Sequence, residues 1–215
     1  MPRWIPCTLL ALIAASLFGG LRTPALSQPE GGAPDGMQQA IEKFKKAITP
    51  GPEHERLGKL VGEYDVTIKI WMGGPGSPPM SMTGNTATIE WLMEGRWLSI
   101  DHRGKPSTNP MMKLFMPTHS FSLLGYDNFK KKYVATTITN ASTAHDRHYG
   151  LFTFDQKSLV FYGTIDEPLT DEQEKPVKVA YRFKSDDEFV MEVHDFGIGE
   201  TRTKVVETVF TRRKP

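Results

Sequence analysis

The chain has 215 residues, with 26 Lys plus Arg against 25 Asp plus Glu, one cysteine and a mean hydropathy of −0.37. That charge balance argues against nucleic acid, which rewards a basic face through counterion release. A lone cysteine leaves no disulfide framework, so stability must come from a buried core, which one domain of this length can supply.

The first residues read as an address label. Arg3 supplies a positive start, Thr8 to Gly20 is an apolar run too short to span a bilayer comfortably, and Ala25-Leu26-Ser27 fits small-x-small processing. The expectation is a signal peptide cut after Ser27, an exported (periplasmic or extracellular) protein, and no stable membrane insertion afterwards; an uncleaved anchor is the alternative. The segment takes Cys7, Arg3 and Arg22 with it and no acidic residue, so the mature charge turns slightly negative. Gln28 to Gly36 is Pro- and Gly-rich with almost nothing to bury, and reads as a disordered tether.

Helical spacing follows. Met37, Ala40, Ile41, Phe44, Ala47 and Ile48 recur at three- and four-residue steps with Lys43, Lys45 and Lys46 outside, and Pro50-Gly51-Pro52 stops the run. Residues 53–60 predict a second short helix, with Leu57 and Leu60 inward and Gly62 ending it. The domain organisation expected is thus signal 1–27, linker 28–36, helical segment 37–60 and barrel 61–213.

Beyond Gly62 the pattern is strand and turn. Tyr64, Val66, Ile68 and Ile70 alternate with Asp65, Thr67 and Lys69, and Val177, Val179, Tyr181 and Phe183 alternate with polar neighbours. Turn signals at residues 94–95, 127–130, 155–157, 185–187 and 197–199 separate such runs. About ten strands are predicted: 62–72, 81–93, 96–103, 119–127, 132–140, 148–154, 158–166, 176–184, 188–196 and 200–211. An all-β chain of sequential antiparallel strands removes its exposed edges by closing into an up-and-down β-barrel. One or two N-terminal helices would plug one end, the lipocalin-like arrangement.

Leu60-Val61-Gly62-Glu63-Tyr64, then Gly95-Arg96-Trp97-Leu98, then Leu123 to Asn128 followed by Lys132-Tyr133-Val134, and finally Val206-Glu207 to Thr211-Arg212, stand in an order that resembles the bacterial domain of unknown function 1579 family. The resemblance covers about residues 53–212 and implies a calycin-like barrel with no established activity, substrate or cofactor. Thr137 and Asn140 depart from it, because many members have a Trp and an acidic residue near there.

Alternation alone nominates Tyr64, Val66, Ile68, Trp97, Phe121, Leu123, Phe161, Val179, Tyr181 and Met191 as inner lining, either as ordinary core or around a small apolar ligand. Glu192 and His194 lie two apart on one strand face, with Arg182 in the neighbouring wall. Facing inward they would hold a ligand head group, Arg182 pairing a carboxylate; facing outward they are solvated, the commoner arrangement. The candidate ligand site is Tyr64, Trp97, His102, Phe121, Tyr181, Arg182, Met191 and His194. His145-Asp146-Arg147-His148 lacks the further ligands that zinc needs and reads as a solvated loop. Met72, Met80, Met82, Met111, Met112 and Met116 crowd two long loops, 73–80 and 104–118, where they would pack on a barrel end or form an adaptable gate.

No nucleophile elbow or phosphate-cradling loop appears, so no catalytic residue, metal or cofactor is named. The favoured reading is an exported module binding a small apolar or amphipathic molecule. The alternatives are a barrel hydrolase or isomerase using Glu192 with His194 or Asp101 with His102, and a structural or interaction protein docking through helix 37–49.

Overall fold

The computed structural model describes residues 35–73, 76–168, 170–196 and 203–214. The expected signal segment and most of the expected tether lie outside them. Helix α1 spans Asp35–Ile48, α2 spans Pro52–Glu55, and a 3₁₀ turn spans Arg56–Leu60. Ten strands follow: β1 Gly62–Ile70, β2 Met80–Leu92, β3 Trp97–Arg103, β4 His119–Asp127, β5 Lys132–Thr139, β6 His145–Phe152, β7 Ser158–Glu167, β8 Glu172–Phe183, β9 Glu188–Asp195 and β10 Lys204–Arg212. Each pairs antiparallel with its neighbours in sequence, and β10 pairs back onto β1, closing the barrel. Several expectations need correction. A short helix, α3, occupies Pro110–Phe115 in what the sequence reads as a loop, β6 begins at His145 rather than at residue 148, β8 begins at Glu172 rather than at residue 176, and α1 begins at Asp35, inside the expected tether.

Period-two side chains give this wall a definite inside. Register partners share a face, so the row Val66–Phe210–Phe189–Phe183 can be followed inward across the seam from β1 to β8. The inner row of β1, Tyr64, Val66, Ile68 and Ile70, is buried, whereas Asp65 is exposed and Thr67 and Lys69 are half-buried.

One end is plugged. The even-to-odd hairpins β2–β3, β4–β5, β6–β7 and β8–β9 turn at the end where β1 starts, and there Leu57 and Leu60 of the 3₁₀ turn are fully buried in the core. Around them Tyr64, Phe189 and Phe210 pack edge-on or stacked, with ring centroids 4.3 to 6.0 Å apart. Hydrogen bonds fix the plug: Tyr64 Oη donates to Leu60 O at 2.8 Å, and Tyr133 Oη donates to the Glu53 carboxylate at 2.6 Å. His54 Nδ1 accepts from Gly51 N, capping α2 after the helix-stopping Pro50.

Arg212, the last residue of β10, ties the plug to the closing strand. Its guanidinium donates to Val61 O and Lys59 O and lies 4.9 Å from the Tyr64 ring centre. Gly62 stands beneath it at φ 149°, where a Cβ would run into Arg212 Nη1. Gly62→Ala should therefore displace the latch and lower stability by about 1–3 kcal/mol. Leu60→Ala should cost about 2–5 kcal/mol, while Ile48→Ala on the exposed face of α1 should stay within about 0.5 kcal/mol. Urea unfolding of the three variants checks the order; equal losses for Leu60 and Ile48 would contradict the plug.

Candidate functional site

Following the inner rows away from the plug, the wall changes character. Near the plug it is Tyr64, Ile89, Leu98, Leu124 and Leu159, all at most 1 % exposed. Toward the opposite end the inner positions of β3 to β6 are His102, Ser120, Ser122, Thr137, Asp146 and His148, by register with Ala87, Ile100, Leu124 and Ala135. Polar groups turned into a barrel must find partners or cost free energy. Ser122 Oγ and Thr137 Oγ1 satisfy each other at 2.8 Å. Asn85, buried beside the irregular β1–β2 register, donates to Val66 O and Met82 O.

The two histidines do not follow that pattern. His102 is 7 % and His148 is 6 % exposed, and neither Nε2 has a hydrogen-bond partner in the protein. An unpaired buried nitrogen costs about 1–3 kcal/mol, a cost that a hydrogen-bonding partner would remove. His148 lies over its register partner Gly163, where a Cβ would meet ring carbon Cδ2. Gly163 thus makes the room the imidazole occupies. His102 Cε1 likewise faces the Cβ position of Gly104.

Burial sets the charge of this region. It pushes both imidazoles below their ordinary value, and for His148 it is the sole cause, so both are neutral at neutral pH. Burial, reinforced by the nearby Asp166, pushes the Asp146 carboxyl up. Farther round the wall, Lys175 bonds Asp195 and Glu172 at 2.8 Å each, and these bonds hold its ammonium charged. The inner face therefore presents a compensated ion pair beside neutral imidazoles and hydroxyls.

At this end the β3–β4 connection lies over the wall. In α3 Met112 is 2 % exposed, and Met116 packs on the core cluster. Met82 is an inner residue of β2, whereas Met72 and Met80 are exposed.

Several sequence-nominated residues point elsewhere. Tyr64, His102, Tyr181 and Met191 are on the inner face, although the Tyr64 hydroxyl is committed to the plug. Trp97, Phe121 and Leu123 are on the outer face, because Leu98, Ser122 and Leu124 take the inward positions; the Trp97 ring covers Gly125 instead. Arg182 and His194 are also outside, joined through Glu192, which accepts from Arg182 and Lys204. That outer network removes the inward head-group role considered for Arg182 and His194. It also removes the Glu192–His194 catalytic pairing, and Asp101 points outward to Arg103 and His119 while His102 points inward. No group of three or more potential metal ligands occurs among the described residues.

Asp146 and His148 are the inner residues the sequence hid. Their outer-face alternates are His145, Arg147, Tyr149 and Leu151, the last 55 % exposed, so both faces of β6 mix polar and apolar residues. The one available signal was the alternation of Asp146, His148 and Gly150 itself.

The model of the family described as protein of unknown function (DUF1579) matches residues 49–212. Among solved structures the chain is similar to Rv2717c from M. tuberculosis, at 12% identity and a TM-score of 0.53, over 77% of this chain and 100% of that one. A redesigned beta barrel aligns at 8% identity and a TM-score of 0.33, over 74% of this chain and 96% of that one. At such identity the first likeness shows the barrel fold alone. No curated protein matches the chain.

The depressed imidazoles carry a signed consequence. The unfolded chain takes up protons near the ordinary value of 6.5 and the folded chain does not, so these residues leave stability intact above 6.5 and reduce it as pH falls below. Asp146 acts oppositely at lower pH, since its raised pKa favours the folded state as pH falls toward 3.8. Urea unfolding across this range should show a shallower loss between neutral and mildly acidic pH in His148→Asn than in wild type. Identical slopes would mean that His148 is not buried neutral.

Proposed function

The chain belongs to the DUF1579 family, whose description leaves function open, and from the chemistry of the inner wall we propose that it is an exported carrier for a neutral, amphipathic small molecule. The carrying observation is the pair of buried imidazoles, His102 and His148, each with Nε2 unpartnered. A ligand bearing a hydroxyl, carbonyl or amide would supply the missing hydrogen bonds. Its apolar body would lie along Ile68, Ile100, Phe161 and Val179, which share the same inner face. The export half of the reading rests on the N-terminal charged, apolar and small-residue pattern.

Charge favours a neutral head over a fatty-acid carboxylate. Lys175 is already engaged by Asp195 and Glu172, the imidazoles are neutral, and Arg182 is bonded to Glu192 outside the barrel. A buried carboxylate would find no uncommitted cation among these groups and would bear its desolvation cost alone. Asp146 and His148 share the inner face of β6, yet the His148 shift has burial as its only cause, so a proton-transferring pair has less support than a binding wall.

Native mass spectrometry of the processed protein purified from its exporting cell tests the reading. The expected result is a retained neutral adduct, identified after extraction as carrying both polar and apolar parts. His102→Leu or His148→Leu should weaken its retention by about tenfold, the scale of one buried hydrogen bond. A bare chain under gentle conditions, or an adduct indifferent to both substitutions, would overturn it.

A further inference from the structure

The plugged end carries a feature that neither the plug nor the inner wall uses. Three successive hairpin tips there each expose one large apolar side chain: Met93 between β2 and β3 at 70 %, Phe129 between β4 and β5 at 87 %, and Phe154 between β6 and β7 at 104 %. Tips usually hold small polar residues that favour turning. These are firmly built. Asp127 Oδ1 accepts from Phe129 N and Lys130 N at 2.9 Å, and Asp155 Oδ1 accepts from Thr153 Oγ1 and Lys157 N at 2.7 and 3.0 Å. The apolar groups are therefore held out in water by satisfied turns rather than left there by slack chain.

Successive tips are two strands apart, so along the rim they are separated by about 10 Å. Side chains so spaced make isolated wedges rather than one flat patch. A deformable apolar medium accepts such wedges, whereas a protein partner would need a separate pocket for each.

The charge beside them is mixed with a basic excess: Glu94, Asp127 and Asp155 in these turns stand against Arg96, Lys130, Lys131, Lys132 and Lys157. Lys131 and Lys132 are exposed in the Phe129 turn. Asn128 Nδ2 in that turn donates to Lys46 O, Ala47 O and Thr49 O, anchoring the end of α1, whose Phe44 and Ile48 are exposed alongside Lys43, Lys45 and Lys46. The remaining tip at this end, Asp186-Asp187 between β8 and β9, is acidic, which limits the favourable arc to β2 through β7.

We infer that this arc docks peripherally on an anionic phospholipid surface, Met93, Phe129 and Phe154 entering the headgroup and acyl boundary while the lysines meet the headgroups. Apolar area and electrostatic attraction add in such binding, and one without the other is weak. The opposite, histidine-bearing end then faces away from the bilayer. The inference does not depend on the carrier reading.

The processed protein, which begins after Ser27 and so lacks Cys7, carries a spin label at Phe129→Cys, Phe154→Cys or, as a control at the opposite end, Ser142→Cys and is mixed with phosphatidylglycerol–phosphatidylcholine vesicles. Accessibility to a water-soluble nickel chelate is then measured. The tip labels should become protected and the Ser142→Cys label should not. In a separate sedimentation assay Phe129→Ser alone should weaken vesicle partitioning by about tenfold, the scale of one buried aromatic ring, and Phe129→Ser with Phe154→Ser should weaken it further. Tip labels equally accessible with and without vesicles would overturn the inference. So would equal protection on purely zwitterionic vesicles, or protection that rises with protein concentration in the absence of lipid and marks contact between copies.

Discussion

The pairing of β10 with β1 is the constraint on which the other features depend. Seven register pairs, from Tyr64 with Arg212 to Ile70 with Val206, turn a meander with two open edges into a wall with an inside. Arg212 sits at the end of that seam and also bonds the carbonyls of the plug. Closing the wall and stopping its end are therefore coupled through one side chain, with Gly62 yielding the space it needs.

Once one end is stopped by Leu57 and Leu60, the two halves of the interior have different tasks. The plugged half buries Tyr64, Leu98, Leu124, Leu159 and Phe189, the area that supports the fold. The other half bears the polar inner residues of β3 to β6, which contribute little to stability and cost some where unpaired. Two neutral imidazoles face inward there, one of them above a glycine that leaves room for it, and the proposed carrier role rests on them.

Strand order and closure were legible because inner and outer faces differ in hydropathy along β1 and β8, where Tyr64-x-Val66-x-Ile68 and Val177-x-Val179-x-Tyr181 follow the apolar-in rule. The plug was legible from Leu57, Leu60 and the glycine after them. The site was not, for the same reason in reverse. Along β6 the polar residues Asp146 and His148 face in and Leu151 faces out, so a rule that sends polar side chains to water makes a loop of the first half of the strand. Along β3 and β4 both faces carry apolar residues, and Trp97, Phe121 and Leu123 could be placed inside only by guessing a phase that Leu98, Ser122 and Leu124 in fact occupy. Glu192 and His194 were ambiguous on spacing, and the three partners of Glu192 on the outer wall resolve them outward.

The central claim is the proposal that the neutral, inward-facing imidazoles of His102 and His148 hydrogen-bond a small molecule within the wall. A high-resolution electron-density map of the protein isolated from the cells that produce it tests this most directly. The account predicts non-protein density within hydrogen-bond distance of at least one of the two Nε2 atoms, extending toward Phe161 and Ile68. Inner side chains packed solidly against both rings, or imidazoles turned to the outside of the wall, would contradict it.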